Sequence, residues 1–296
     1  MAGYPCAVIH AESFREAARS VRVRRLLVAA SAVGFLLTGK ILLEGGIVTA
    51  GGQGGGDAIA YWQAAGHALT GRPIYVMPVG GYAAYLYPPV LAQFLAPVSV
   101  LPLPVFVWLW RALEVACLRI AVGSWRNAGL AMVLWPPVVS ELYSGNVHLL
   151  AAAATAMAIR GDARSVAMAA LTKFAAAAAA PAALRVDRRG LALGALAAFV
   201  VCLVSIAIAP GTWSSYLAFL EHASEPQSGW FNIGSFVSTP ARFVVAAIVS
   251  LAAIRWTRLA AVAVTLAFPV LWFHSLSALV AIVAKPAHRL RERVSG

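Results

Sequence analysis

The chain has 296 residues, 61% hydrophobic and only 11% charged, with a formal net charge of +12. A water-soluble domain carries about 25% charged residues, whereas about 20 apolar residues make one membrane-spanning helix, so there is material here for roughly nine spans. Soluble-enzyme and nucleic-acid-binding classes are thereby excluded, and the positive charge reads as a topology signal: all 23 Lys and Arg but Lys40, Arg72, Arg111, Lys173 and Arg242 lie in short stretches between or flanking apolar runs.

Taken in chain order, residues 1–25 form a basic cytoplasmic N-terminus, and the run from Leu26 to Leu43 is the first span, an uncleaved signal-anchor carrying the chain outward. Residues 44–84 form a first outer loop. It is Gly-rich up to Asp57 and then turns into an interfacial helix with Ile59, Trp62, Gly66 and Leu69 on one face, stopped by Gly71 and Pro73. Residues 85–101 are short and hold several prolines, which predicts a re-entrant or juxtamembrane element.

The chain then crosses inward over 104–122, outward over 128–144 and back over 147–159. Residues 166–184 lie between two basic stretches, which predicts a re-entrant hairpin broken at Pro181. A further outward run, 191–209, leads to a second outer loop at 210–239. The segments 240–254, 259–273 and 275–284 follow, and residues 285–296 form a basic cytoplasmic tail. The expectation is an all-α polytopic transmembrane bundle of about eight or nine membrane segments, with one membrane domain over 26–284 in the plasma membrane.

Cys6, Cys117 and Cys202 have no ligand spacing, so neither a disulfide framework nor a metal site is expected. The glycines before Asp57 lack a following Lys-Ser/Thr and so make no phosphate-binding loop. Ionisable groups within or beside hydrocarbon must pair, line a wet cavity or work. Arg111 and Glu114, three apart on one helix, read as an internal pair. Asp57 reads either as a helix N-cap or as a carboxylate at the membrane boundary that takes a proton from an attacking hydroxyl, and the two roles are compatible. Lys173 reads as a cation that snorkels to the inner headgroups.

The order GDAIAYWQAAGHALTGRPIY (Gly56 to Tyr75), YLYPPVLAQFLAPVSVLP (Tyr85 to Pro102), YSGNVHLLAAAATAMA (Tyr143 to Ala158), LTKFAAAAAAPAAL (Leu171 to Leu184), WFNIGSF (Trp230 to Phe236) and FPVLWFHSL (Phe268 to Leu276) resembles glycosyltransferase family 87. The resemblance implies a GT-C-like fold and transfer of a sugar, mannose by the family's habit, from a polyprenyl-phosphate donor to a lipid or glycan acceptor on the extracytoplasmic face. No cofactor or metal is implied.

Carried over position by position, the resemblance makes Asp57 the general base of an inverting transfer. Arg242, Lys173 and His274 become contacts for the donor phosphate. Tyr61, Tyr85, Tyr87, Asn146, His148, Asn232 and Ser235 become substrate contacts. Asn146 stands where the family's turn has Gln, and His148 where it has Asn. The aromatic side chains also suit an interface belt, and His274 a buried interhelical histidine. A transporter or flippase for a lipid or small anion, which would also use broken helices and intramembrane charges, is the competing class; a catalytically inactive relative is the other alternative, raised by the altered turn.

Overall fold

The computed structural model describes residues 21–46, 54–75, 84–222 and 236–286, and among these it is helical with no strand. The helices are α1 (Val21–Gly45), α2 (Gly56–Thr70), α3 (Pro89–Leu95), α4 (Leu103–Val122), α5 (Trp125–Leu134), α6 (Pro136–Ser144) and α7 (His148–Arg160). They continue with α8 (Arg164–Ala170), α9 (Ala180–Val186), α10 (Arg188–Ile208), α11 (Pro210–His222), α12 (Thr239–Ala252) and α13 (Leu259–Leu266). Shorter 3-10 segments run over Ala96–Val100, Phe174–Ala179 and Phe273–Val283.

Only α1 and α10 are, among the described residues, long and apolar enough to cross a membrane unaided. Both show mostly exposed apolar side chains, as a lipid-facing helix should: Leu26, Leu36 and Leu43 on α1, Leu196, Phe199 and Ile208 on α10. Helices α4 and α7 fill the crossings expected at 104–122 and 147–159, but α4 carries Arg111, Glu114 and Arg119 and α7 has only 13 residues. The outward run 128–144 is two helices, separated at Trp135 where Pro136 and Pro137 follow; neither proline can donate the backbone bond that would continue α5.

The hairpin expected to break at Pro181 breaks instead around Lys173, whose backbone is extended (φ −155°, ψ 118°). Pro181 sits in the first turn of α9, where its missing N–H costs nothing. Residues 210–222, expected as outer loop, are the helix α11.

Small residues let the helices approach closely, the packing that serves where lipid offers no hydrophobic drive. On α1 and α5, Gly34 and Gly129 meet so tightly that a Cβ on either would strike the other helix, and Phe35 packs near Trp125. The alanine runs behave as expected: Ala151, Ala158, Ala175, Ala176 and Ala179 form one packed group with Val264 and Phe268. A second group is built on Leu118, Leu142 and Leu149, and a third on Tyr61, Tyr85, Tyr87, Trp110 and Val147. Leu142, Val147, Leu149 and Ala151 thus bring all three groups to the short α6–α7 turn.

Helix α2 buries Ala58, Ile59, Ala60, Tyr61, Ala64 and Ala65 against protein, while Leu69 is exposed. Of the expected Ile59–Trp62–Gly66–Leu69 face, Ile59 is thus buried, Trp62 and Gly66 are half-buried and Leu69 is open. Small side chains, Ile59 and Tyr61 make the close protein contact, and the Trp62 indole N–H donates to the Leu101 carbonyl at 3.0 Å. Gly71 ends the helix in the left-handed conformation (φ 68°), as its position before Pro73 predicts.

The two regions read as outer loops meet. Tyr75 stacks on Phe219 (ring centroids 5.3 Å apart) and lies against Tyr216. Helix α7 is about 20 Å long, 13 residues at 1.5 Å each, and at its C-terminal end Arg160 donates to the carbonyls of Ile120 and Ala121 at the end of α4. Arg185 does the same for Ile254 and Arg255 beyond α12. Basic side chains here cap helix C-termini, where the exposed carbonyls favour them.

Candidate active site

The site is organised by the α6–α7 turn. Gly145 ends α6 in the left-handed region (φ 76°), and a Cβ there would come within 2.8 Å of the Ala58 Cβ. That close approach brings the start of α2, and with it Asp57, against the turn. The Gly55 N–H completes the junction by donating to the Tyr143 carbonyl at 2.7 Å.

Asp57 is not the N-cap of its helix. That position is Gly55, in the left-handed conformation (φ 84°) and without a side-chain cap. The carboxylate is instead hydrogen-bonded by the Asn146 and Ser144 side chains and faces the Lys173 charge. Burial pushes its pKa above the ordinary carboxylate range, and the Asn146 bond, the Lys173 charge and the Ser144 bond pull in the opposite direction.

Asn146 is the hub. Its Oδ1 accepts from the Tyr87 hydroxyl at 2.9 Å and from the Val147 N–H at 2.7 Å, which leaves its amide N–H groups for Asp57 and for His274 Nε2, 3.5 Å away. An amide N–H facing Nε2 puts the imidazole proton on Nδ1.

A second layer stands behind it. Glu141 clamps His148 twice: Oε1 accepts the backbone N–H at 2.7 Å and Oε2 meets ring Nδ1 at 2.9 Å. His148 Nε2 in turn lies 3.0 Å from Lys173 Nζ and 3.2 Å from Ser275 Oγ. The Lys173 ammonium also stands over the rings of Phe268 (4.9 Å) and Tyr87 (5.3 Å). This lysine does not snorkel to the headgroups: the backbone break around it turns the side chain into the site, where the His148 Nε2 acceptor and two ring faces compensate its charge.

Accessibility sorts the predicted residues. Asp57, Lys173 and His274 remain partly exposed, whereas Tyr61, Tyr85, Tyr87, Asn146 and His148 are buried. Tyr61 packs edge-on to Tyr87 and tilted on Trp110. Tyr85 spends its hydroxyl within its own turn, donating to Pro88 and accepting from the Ala92 N–H. These tyrosines are interior supports, not a headgroup belt.

Arg242 is buried as well. Its guanidinium donates to the Phe268 and Pro269 carbonyls, both at 2.6 Å, and so holds the segment that carries the Phe268 ring beneath Lys173. Asn232 and Ser235 lie outside the described residues.

Arg111 and Glu114 attract one another electrostatically, as the internal pair requires, but no ion pair within 4.0 Å joins them among the described residues. The guanidinium reaches the Gly46 carbonyl at 3.3 Å and stands over the Trp108 ring instead. Gly54 passes so near that a Cβ would be 2.7 Å from Arg111 Nη2, so Arg111 backs the glycine-rich approach to Asp57.

Reading the residues one at a time missed the partnerships of Glu141, Ser144 and Ser275. The available signal was a carboxylate on an otherwise apolar helix, one turn before a Ser-Gly-Asn turn. Glu141, His148 and His274 also place one ligand-type atom each within 4.8 Å of one another, a set that suits a divalent ion in number and kind. The Lys173 ammonium meets the same imidazole, so a cation is already supplied by the chain.

A partly accessible acid, an ammonium and an imidazole thus converge on one turn. The model of glycosyltransferase family 87 matches residues 85–291. The chain belongs to that family. No curated protein and no solved structure matches it. As a family 87 member it is a membrane glycosyltransferase that takes a sugar donor and an acceptor. The matched region contains Tyr85, Tyr87, Asn146, His148, Lys173, Arg242 and His274. Asp57 precedes it, and the tertiary fold brings that acid to the matched residues.

Proposed function

We propose that the protein transfers a sugar, mannose by family resemblance, from a polyprenyl-phosphate donor to a lipid or glycan hydroxyl, with inversion, on the extracytoplasmic side of the plasma membrane. The observation that carries this reading is that three partly exposed groups converge: Asp57 and His274 both meet Asn146, and Asp57 faces the Lys173 charge.

The chemistry follows from their types. Asp57 accepts the acceptor's hydroxyl proton as the oxygen bonds to the anomeric carbon, and the bond from that carbon to the phosphate oxygen breaks on the opposite face of the sugar. Polyprenyl phosphate leaves with the electron pair. The Lys173 ammonium and the His274 Nδ1–H supply positive charge and a donor for the departing phosphate. Arg242 acts from behind, through the Phe268 backbone.

Several features support the topology. The segments read as outer loops meet through Tyr75 and Phe219, and Arg160 lies at the other end of α7, as the positive-inside bias requires. The same reading treats residues 26–284 as one membrane domain. No divalent ion is needed in this scheme, because the ammonium does the work a metal would do.

The test is transfer of radiolabelled mannose from polyprenyl phosphate mannose in membranes carrying wild type or Asp57→Asn. Loss of about 10²–10⁴-fold is expected on removing a general base. Equal incorporation by the two would overturn the assignment, and lipid or anion flux without transfer would establish a transporter.

A further inference from the structure

The Glu141–His148 contact is more than a turn needs. One carboxylate oxygen on the His148 N–H already closes the turn; the second oxygen is bonded to the ring. A carboxylate at Nδ1 keeps the imidazole proton there and makes Nε2 an acceptor. That acceptor faces Lys173 Nζ at 3.0 Å and is, among the described residues, the one hydrogen-bond acceptor on the ammonium, which has three N–H groups to place. All of Glu141, His148 and Ser275 is buried to 0% exposure, so none of the three is open to substrate, while Lys173 is partly open.

We infer that Glu141 and His148 are positioning residues, a buried dyad that holds the Lys173 ammonium by one N–H and leaves the others directed at the leaving phosphate. The inference rests on the reading above, in which Lys173 receives that phosphate. Lys173 sits in a break between helices and owes its direction to side-chain contacts, not to a helical backbone. The rings of Tyr87 and Phe268 bound the ammonium without fixing where its N–H groups point, and the imidazole nitrogen does fix one.

Two substitutions separate this role from a structural one. The amide of Gln reaches the place of Nε2, whereas the amide of Asn reaches only that of Nδ1. His148→Gln therefore keeps the acceptor for Lys173 and gives up the Glu141 ring contact; His148→Asn does the reverse.

The measurement is kcat and acceptor KM for mannose transfer by the purified full chain, with melting temperatures to certify folding. His148→Asn is expected to lose about tenfold or more in kcat at unchanged acceptor KM, and His148→Gln to stay within about threefold of wild type. In a Lys173→Met background the two His148 variants should match their parent, since the dyad acts only through that lysine.

Activity of His148→Asn equal to or above that of His148→Gln, with Asp57→Asn still inactive, would overturn the dyad's role and leave the transfer reaction intact. Equal transfer by wild type and Asp57→Asn would overturn the reaction reading and the dyad's role with it.

Discussion

At the residue scale, the proposed reaction turns on Asp57 being both partly buried and basic. Its carboxyl is pushed up by burial and held back by Asn146, Lys173 and Ser144. A base works deprotonated, so kcat/KM should rise with pH through a value above the ordinary carboxylate range and be lost below it. Removing the Lys173 charge in Lys173→Met takes away one of the lowering influences, so the acid limb of the profile should move to higher pH while the residual rate falls. A pH–rate profile of both proteins checks the sign; an unmoved or lower acid limb would show that Lys173 and the base do not share a field. The acid itself stood out in the sequence as the carboxylate after a glycine run. Its cap assignment did not survive, because Gly55 takes the cap and the side chain finds better donors across the fold.

At the scale of elements, the α6–α7 turn and the break around Lys173 matter more than any long helix. Gly145 holds a left-handed φ, and its missing Cβ admits Ala58. Gly145→Ala should cost about 1–2 kcal/mol for the conformation alone, with a further 1–3 kcal/mol for overpacking. The relief is displacement of α2, so transfer should fall more steeply than the melting temperature does. Kinetics and thermal unfolding of the purified variant in the same detergent would separate the two.

Sequence reading found this turn through Ser144, Gly145 and Asn146 and found the boundary at Gly71, because glycine marks positive φ locally. It misplaced the hairpin break at Pro181. A proline in the first turn of a helix is no interruption, and the true break at Lys173 is stabilised by long-range partners with no local signature.

Across the whole molecule, the arrangement predicts sidedness and metal independence. With Thr70 on the stretch read as the first outer loop and Asp162 beside Arg160, both exposed, Thr70→Cys in a cysteine-free background should react with an impermeant maleimide added to intact cells. Asp162→Cys should react only after permeabilisation. The reverse pattern would put the site on the cytoplasmic side.

Chelator should leave transfer within about twofold of its untreated rate. Loss restored by a divalent ion would instead assign Glu141, His148 and His274 as ligands.

Composition and the spacing of basic stretches were enough to establish a helical membrane protein, since the cost of charge in hydrocarbon acts on every segment separately. Motif order was likewise enough for the family resemblance, and single residues carried the candidate acid and ammonium. Which of those residues stay partly exposed, that Tyr61 and Tyr85 are buried, that Arg242 grips a backbone and that Glu141 bonds His148 while His148 meets Lys173 came only from tertiary structure. Those facts depend on contacts between segments far apart in the chain, where a partner is chosen by packing and leaves no trace in local pattern.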